Sequence, residues 1–155
     1  MVKRYVKGAR SERELLGIFY KRGYSVLRSA GSGVSSLGPD IICIKDGVCI
    51  SFECKAWDRT SLSLDPESFN KLLVWEKNTA SPTFVAWRVS KKGWLFIRTD
   101  EFTRAERNYN VTMKRAIEIN RDIGQVLAIG IKETAAAEQA APQVADGVEL
   151  LGPSA

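Results

Sequence analysis

The clearest apolar pattern in the chain lies on either side of Asp46-Gly47. Residues 41–45 and 48–52 are rich in Ile, Val, Cys and Phe, as is typical of strands, and Asp-Gly between two such runs favours a two-residue type I′ turn. Such a turn fixes the register of the pairing, with Lys45 opposite Val48. The pattern therefore predicts one β-hairpin over residues 40–55.

This hairpin would end in charged side chains that lie close together. In the predicted register Asp40 falls opposite Glu53, and residues paired in this way lie on one face with Cβ atoms about 5 Å apart. Because side chains alternate along a strand, Lys55 returns to the face of Glu53. The spacing predicts a site made of two carboxylates and a lysine.

The remaining periodicity predicts alternating helices and strands. Helices are expected over 9–22, over 65–79 and from about Asp122, and strands over 24–29, 83–89 and 94–98. Residues 100–120 are ambiguous: residues 109–113 could form an edge strand, and residues 101–107 could form a helical turn. In the second helix Asp65 is the expected N-cap, and Phe69, Leu72 and Leu73 are the expected buried residues.

The first helix carries a carboxylate on its apolar side. Leu15, Leu16 and Phe19 form the apolar stripe, and the helical repeat places Glu12 on the same stripe. One interpretation is a glutamate in the first helical turn, which the helix dipole favours. The other is that Glu12 points toward Asp40 and Glu53 as a third acidic group.

Two carboxylates so close repel each other unless a proton or a cation lies between them. A hard divalent cation such as Mg²⁺ takes oxygen ligands and keeps positions open for water and phosphate. Lys55 would then orient the attacking water, and Trp57 continues the same parity toward the site. The hairpin therefore predicts a metal-dependent nuclease.

Charge along the chain favours a polyanionic partner. The 155 residues carry a formal charge of +5, while residues 133–155 contain four acids and no Lys or Arg. The body therefore has 23 basic and 14 acidic residues. Residues 1–7 are predicted as a short basic arm of a nuclease domain over 1–133, and residues 134–155 as a disordered, Ala-rich acidic tail.

Composition excludes several other chemistries. The chain has no histidine, which excludes Ser-His and Cys-His nucleophile pairs and His-ligated zinc. The three cysteines, Cys43, Cys49 and Cys54, lack metal-site spacing and read as small core side chains in a reducing compartment. No apolar run is long enough for a membrane span. We expect an intracellular, cytoplasmic protein associated with the nucleoid, without a membrane partner.

Several motifs resemble one known family. They are Lys-Gly-x-x-x-Glu-Arg-Glu-Leu over residues 7–15, Arg-Ser-Ala-Gly-Ser over 28–32, Pro39-Asp40 and Phe52-Glu53-Cys54-Lys55. In order and spacing they resemble the archaeal Holliday junction resolvases of the PD-(D/E)XK nuclease superfamily. The resemblance covers positions 5–56, and Gly93-Trp94-Leu95-Phe96-Ile97 extends it.

The resemblance implies a restriction-endonuclease-like α/β fold, with a central mixed sheet of about five strands flanked by helices. It implies a homodimer that nicks two opposing strands of a four-way DNA junction in recombination and repair, using Mg²⁺, for which Mn²⁺ substitutes. Catalysis would fall on Glu12, Asp40, Glu53 and Lys55, metal binding on Glu12, Asp40, Glu53 and the Cys54 carbonyl, and DNA contact on Lys7, Arg10, Arg13, Arg28 and Ser32. The last helix and the 94–98 strand are the candidate dimer interface.

The chain also departs from the family pattern. The loop over 33–38 is not a close match, and the tail has no aromatic residue, so a clamp-binding peptide with paired aromatics is not recognised. Two alternatives stay open: another nuclease of the superfamily acting on ordinary duplex DNA, and a non-catalytic, basic DNA-binding dimer.

Overall fold

The fold is taken from a computed structural model that describes residues 2–29 and 37–142, with side chains from Gly8 onward. The helices are α1 (Val2–Tyr20), α2 (Pro66–Thr79), α3 (Met113–Ile119) and α4 (Ile123–Ala140). The strands are β1 (Ser25–Arg28), β2 (Ile41–Lys45), β3 (Val48–Lys55), β4 (Ser61–Leu64), β5 (Thr83–Val89), β6 (Gly93–Arg98), β7 (Thr103–Arg104) and β8 (Tyr109–Thr112), with a 3₁₀ turn at Thr99–Glu101.

The central sheet has five strands in the order β1-β2-β3-β5-β6. Only the β3–β5 pair is parallel, so the sheet is mixed, and the predicted α/β fold is confirmed. A second sheet, with the order β4-β8-β7, was not predicted as a whole, although β8 coincides with the possible edge strand over 109–113. Its strands have two to four residues, too short for alternation along the chain to reveal them all.

The predicted hairpin is confirmed in its register and its turn. Lys45 pairs with Val48, and Ile41 pairs with Phe52. Asp46 has φ of 49° and Gly47 has φ of 79°, and a type I′ turn requires positive φ at both central positions. Asp40, one residue before Ile41, therefore lies at the end of the hairpin where Glu53 lies.

Helices cover both faces of the central sheet. On one face α1 and α4 enclose Phe52, which is fully buried against Phe19, Phe84 and Phe96. On the other face α2 and α3 pack over a second cluster that includes Trp87. Because neighbouring residues of β3 point to opposite faces, Phe52 belongs to the first layer and Glu53 faces the second.

Helix α2 has the predicted bounds and N-cap, but one of its three expected core residues is exposed. Asp65 is the N-cap and accepts a hydrogen bond from the Ser68 amide, and Phe69 and Leu72 are buried. Leu73 is instead 40% exposed. It lies one position, about 100° of rotation, beyond Leu72, on the outer side of the helix.

Both ends of the chain are more helical than predicted. Helix α1 begins at Val2 rather than Ala9, so residues 2–7 belong to the helix and do not precede it. A glycine such as Gly8 costs a helix only about 1 kcal/mol relative to alanine, and it does not end this one. The helix stops at Tyr20 rather than Arg22, ahead of Gly23 with φ of 83°.

Helix α4 continues to Ala140, so the prediction of disorder is wrong for residues 134–140. Alanine has the highest helix propensity, and Glu133 anchors this helix through an ion pair with Arg98. The rest of the predicted tail, from residue 143, lies outside the described residues. Within the described part, no helix is both long and apolar enough to cross a membrane.

Gly130 sets the distance between α4 and β3. A Cβ atom built at this position would lie 2.5 Å from Cδ1 of Ile50, which is fully buried. We expect Gly130→Ala to lower the free energy of unfolding by about 1–3 kcal/mol, as overpacking does, measured by urea denaturation.

Gly17 provides the matched control because a Cβ there meets nothing within 4 Å. Gly17→Ala should be neutral or stabilising by up to about 1 kcal/mol through helix propensity. An equal effect of the two substitutions would contradict close packing at Gly130.

Candidate active site

The end of the hairpin brings Asp40, Glu53 and Lys55 together, as predicted. The Cys54 backbone N–H donates to Oδ2 of Asp40 at 2.8 Å, and Nζ of Lys55 donates to Oε1 of Glu53 at 2.9 Å. Strand β3 lies between β2 and β5, so Glu53 and Lys55 extend from the middle of the sheet. The local hydrogen bonds hold both carboxylates in fixed positions.

Glu53 is a buried carboxylate that is only partly satisfied. Its side chain is 7% exposed, and Oε2 is buried with no hydrogen-bond partner. Nζ of Lys71 on α2 lies 3.8 Å from Oε2. That distance exceeds the hydrogen-bonding range. One oxygen of Glu53 is therefore left for another positively charged group.

Asp40 titrates far from its usual range. Burial raises its pKa to about 6, and the charge of Glu53 adds to the increase, against the Cys54 hydrogen bond and the Lys55 charge that lower it. Ionising Asp40 thus places a second negative charge beside a buried one. A divalent cation would relieve this repulsion.

The donor chemistry fits such a cation. Asp40 and Glu53 supply the carboxylate oxygens that hard divalent ions bind. Oε2 of Glu53, which accepts no hydrogen bond, is available as a ligand. Burial raises the pKa of the Cys54 thiol well above its usual range, so its sulfur stays neutral and only its carbonyl remains a candidate ligand. Among the described residues, no group of three or more His, Cys, Asp or Glu side chains has metal-site spacing.

Glu12 comes from helix α1, which packs on the opposite face of the sheet from the one that Glu53 faces. It is paired with Arg28, whose strand partner is Ile41, a residue of the layer under α1. Its carboxylate is still close enough to raise the pKa of Asp40 slightly. Since α1 begins at Val2, Glu12 is not in the first helical turn, and that interpretation is wrong.

The predicted DNA-contacting residues are only partly described. Arg10 and Arg13 are exposed on α1, and Arg28 is on edge strand β1 beside Glu12. The side chain of Lys7 and the whole of Ser32 lie outside the described residues. Arg10 and Arg13 thus lie on the helix that carries Glu12, and Arg28 forms an ion pair with Glu12.

Other predicted residues lie partly as expected. Trp57 is beside the site, with Nζ of Lys55 5.9 Å from its ring centroid, and its carbonyl accepts the indole N–H of Trp87. Of the three predicted core cysteines, Cys43 is buried, whereas Cys49 and Cys54 are only partly buried.

Lys71 is the residue near the site that sequence reasoning missed. It stands in α2 directly before the buried Leu72, and it could not be linked to Glu53 without knowing how the helix crosses the sheet. Trp75, one turn later, fixes that crossing by donating its indole N–H to Ser51 Oγ at 2.9 Å. The only local signal was a lysine beside the apolar stripe of the helix.

The raised pKa of Asp40 predicts how stability depends on pH. Between about pH 4 and 6 the folded protein binds a proton that the unfolded chain releases, so the metal-free protein should lose stability as pH rises through this range. Asp40→Asn removes this titration while keeping an oxygen that can accept from Cys54. Urea denaturation at a series of pH values should show a smaller loss in the variant, and parallel profiles would contradict the assignment.

Comparisons with known proteins identify the family. A family model described as archaeal Holliday junction resolvase (Hjc) matches residues 3–133. Crossover junction endodeoxyribonuclease Hjc of Archaeoglobus fulgidus is 30% identical over 106 residues, covering 68% of this chain and 78% of that protein. The protein of the same name from Methanocaldococcus jannaschii is 31% identical over 127 residues, covering 82% and 91%.

Solved structures agree on the fold. The structure of Archaeoglobus fulgidus Hjc superposes with a TM-score of 0.70 at 24% identity, covering 79% of this chain and 96% of that one. The bacterial homing endonuclease I-Ssp6803I superposes with a TM-score of 0.55 at 13% identity, covering 88% and 97%. These likenesses show a nuclease fold shared beyond one family. With its carboxylate pair and lysine in place on that fold, the chain belongs to the family of archaeal Holliday junction resolvases.

Proposed function

We propose that this chain is a crossover junction endodeoxyribonuclease that resolves four-way DNA junctions during recombination and repair. The observation that carries the proposal is the pair of carboxylates, Asp40 and Glu53, joined to Lys55 at the end of one hairpin in a member of the Hjc family. Family membership implies dependence on a divalent metal ion. We propose Mg²⁺, with Mn²⁺ as a substitute.

In this proposal Asp40 and Glu53 hold the metal, with the Cys54 carbonyl and Glu12 contributing further oxygen or charge. Bound there, the ion would supply charge stabilisation for the phosphate and polarise the attacking water. Burial lowers the pKa of Lys55, but the charge and hydrogen bond of Glu53 together with the charge of Asp40 act against it, and the net pKa is raised. In the metal-free protein this favours the ammonium form of Lys55, and in the proposal Lys55 orients the water and neutralises charge at the phosphate.

Paired nicks in opposing strands require two such sites. One chain supplies one pair of carboxylates, so a two-fold symmetric homodimer acting on a pseudo-symmetric junction fits the reaction. Of the two interface candidates, β6 is less suitable because Leu95, Phe96 and Ile97 are buried within the chain. Helix α4 is the better candidate, since Ile131 on it is 56% exposed.

The charged surface fits a nucleic-acid backbone. The exposed Arg10 and Arg13, together with Arg28, are the candidate phosphate contacts, and Lys7 and Ser32 are expected to join them. Phosphate contacts of this kind give salt-dependent affinity without sequence information. We propose that the protein acts on nucleoid DNA in the cytoplasm.

Strand-resolved cleavage of a labelled four-way junction, with and without Mg²⁺, tests the function. We expect symmetric nicks in opposing strands only with the metal, and little cleavage of linear duplexes built from the same arms. Equal cleavage of the duplexes would indicate a different nuclease activity. If the protein binds the junction but cleaves it neither with Mg²⁺ nor with Mn²⁺, the non-catalytic alternative would be favoured.

A further inference from the structure

The loop that follows Lys55, residues 57–60, has a fixed backbone. The carbonyl of Trp57 accepts the indole N–H of Trp87 on β5 at 2.8 Å. The carboxylate of Asp58 accepts the backbone N–H and the hydroxyl of Ser90, each at 2.8 Å. The last carbonyl of the loop accepts the first N–H of α3, also at 2.8 Å. These hydrogen bonds tie the loop to β5, to the turn after β5 and to α3.

Arg59 extends from this loop as an exposed cation. Its guanidinium carbon lies 5.4 Å from the centroid of the Trp57 ring. With the described carboxylates it forms no salt bridge. An exposed arginine is ordinary by itself, so its neighbours decide what it can bind.

The Trp57 ring lies against a second cation. Nζ of Lys55 is 5.9 Å from the same centroid, so an ammonium and a guanidinium share one indole. Like charges so close repel each other unless an anion lies near them. Glu53 provides that anion for Lys55, but no described carboxylate does so for Arg59. The arrangement therefore favours an external anion beside Arg59, next to Lys55.

The loop and Arg28 lie on opposite sides of the carboxylates along one edge of the central sheet. In the order β1-β2-β3-β5-β6, Arg28 ends β1, the carboxylates lie at the ends of β2 and β3, and the loop is anchored to β5. The turn after β5 adds Lys91 and Lys92, which are both exposed. A DNA strand whose scissile phosphate lies at Lys55 would thus meet basic side chains on both sides of the site.

We propose that Arg59, held on the Trp57 ring, is a positioning residue that binds a backbone phosphate of the cleaved DNA strand, beside the scissile phosphate. The inference rests on the proposed nuclease function. Arginine suits this role because its planar guanidinium binds phosphate through two parallel hydrogen bonds and stacks on aromatic rings. Since the loop is already fixed, binding orders little more than one side chain. The contact then sets the position of the scissile phosphate relative to Lys55.

Affinity for an uncut four-way junction, measured by fluorescence anisotropy in EDTA, provides the first test. Arg59→Gln should bind about threefold to tenfold more weakly than the wild type, with a salt slope reduced by about one for each bound protomer. The matched control is Arg22→Gln, because Arg22 is exposed and its carbonyl contacts Lys45 at the far end of the hairpin. No loss in Arg59→Gln, or an equal loss in Arg22→Gln, would overturn the proposal.

Uncharged methylphosphonates locate the contact. After the wild-type nicks are mapped, junctions carrying one such replacement in each nicked strand are compared, at successive positions on either side of the nicks. At one position the wild type should bind as weakly as Arg59→Gln binds the unmodified junction. Arg59→Gln should lose nothing further there, because the two changes remove the same contact. Additive losses at every position would contradict a contact beside the scissile phosphate.

Trp57 provides a third readout. Trp57→Phe should keep most of the junction affinity because it keeps a ring face for the guanidinium, whereas Trp57→Leu should lose about twofold to fivefold. That loss should vanish in the Arg59→Gln background, which a purely structural role of Trp57 would not produce. An equal loss in both backgrounds would overturn the role of the ring.

Failure of the proposed function gives a different result. A wild type that binds the junction but cleaves it with neither Mg²⁺ nor Mn²⁺ would refute the nuclease. The affinities of Arg59→Gln and Arg22→Gln would then still decide whether Arg59 binds the DNA backbone.

Discussion

The Asp40→Asn variant should lose metal-dependent nicking of a four-way junction by about a thousandfold or more. Stabilisation by a metal is worth several kcal/mol, and each 1.4 kcal/mol of barrier is about tenfold in rate. Asparagine keeps an oxygen that can accept from the Cys54 N–H, so the hairpin end should retain its shape. Single-turnover cleavage of a labelled junction measures the loss.

Binding and stability distinguish this result from misfolding. Junction affinity, which depends on basic residues elsewhere, should be largely unchanged in Asp40→Asn. At pH 7 and without metal the variant should be at least as stable as the wild type, because burial and the Glu53 charge disfavour an ionised Asp40. Cleavage at the wild-type rate would show that Asp40 does not take part in the chemistry.

The Lys55→Gln variant should retain its fold and lose about 10²- to 10³-fold in cleavage rate, as when one preorganised donor is removed from an active site. Glutamine still offers an N–H to Oε1 of Glu53, which avoids leaving that buried carboxylate without any donor. What it lacks is the positive charge near the attacking water and the phosphate. The loss should appear mainly as a lower cleavage rate constant, measured with saturating junction and Mg²⁺, rather than as weaker junction binding.

Lys45 offers a control within the same hairpin. Its ammonium donates to the Arg22 carbonyl at 3.3 Å, at the opposite end of the hairpin from the carboxylates, so Lys45→Gln should leave the cleavage rate nearly unchanged. A comparable loss in both variants would mean that overall charge, rather than the position of Lys55, determines the rate.

The hairpin was predictable because its determinants are local. The Asp46-Gly47 turn fixes the register, and the register alone places Asp40 near Glu53 and Lys55 on the same face. A period of two and a two-residue turn leave few alternatives. The site was therefore readable from sixteen consecutive residues.

Features that depend on distant packing were not predictable in the same way. Lys71 meets Glu53 only because α2 crosses the sheet at Ser51, through Trp75. Glu12 acts on Asp40 and Cys54 from a helix that packs on the other face of the sheet. Neither position follows from spacing along the chain, since each is set by how a helix docks on the sheet.

The predictions for residues 2–7 and 134–140 differ from the structure for another reason. The helical segments over 2–7 and 134–140 have compositions typical of tails, but nothing in them interrupts a helix already started. A tertiary contact such as the one between Glu133 and Arg98 then decides the outcome. Composition predicts disorder best where no such contact is available.

The central place of β3 has a consequence for the lifetime of the site. Within it, Ser51 and Phe52 pair with neighbouring strands on both sides, and α4 packs against Ile50 of the same strand at Gly130. Amides in such a strand exchange with solvent deuterium only through the rarest, near-global openings. Glu53 and Lys55 follow directly on this segment and pair with β5 alone, so we expect their amides to exchange faster than that of Phe52, at the border of the slowest-exchanging part of the molecule.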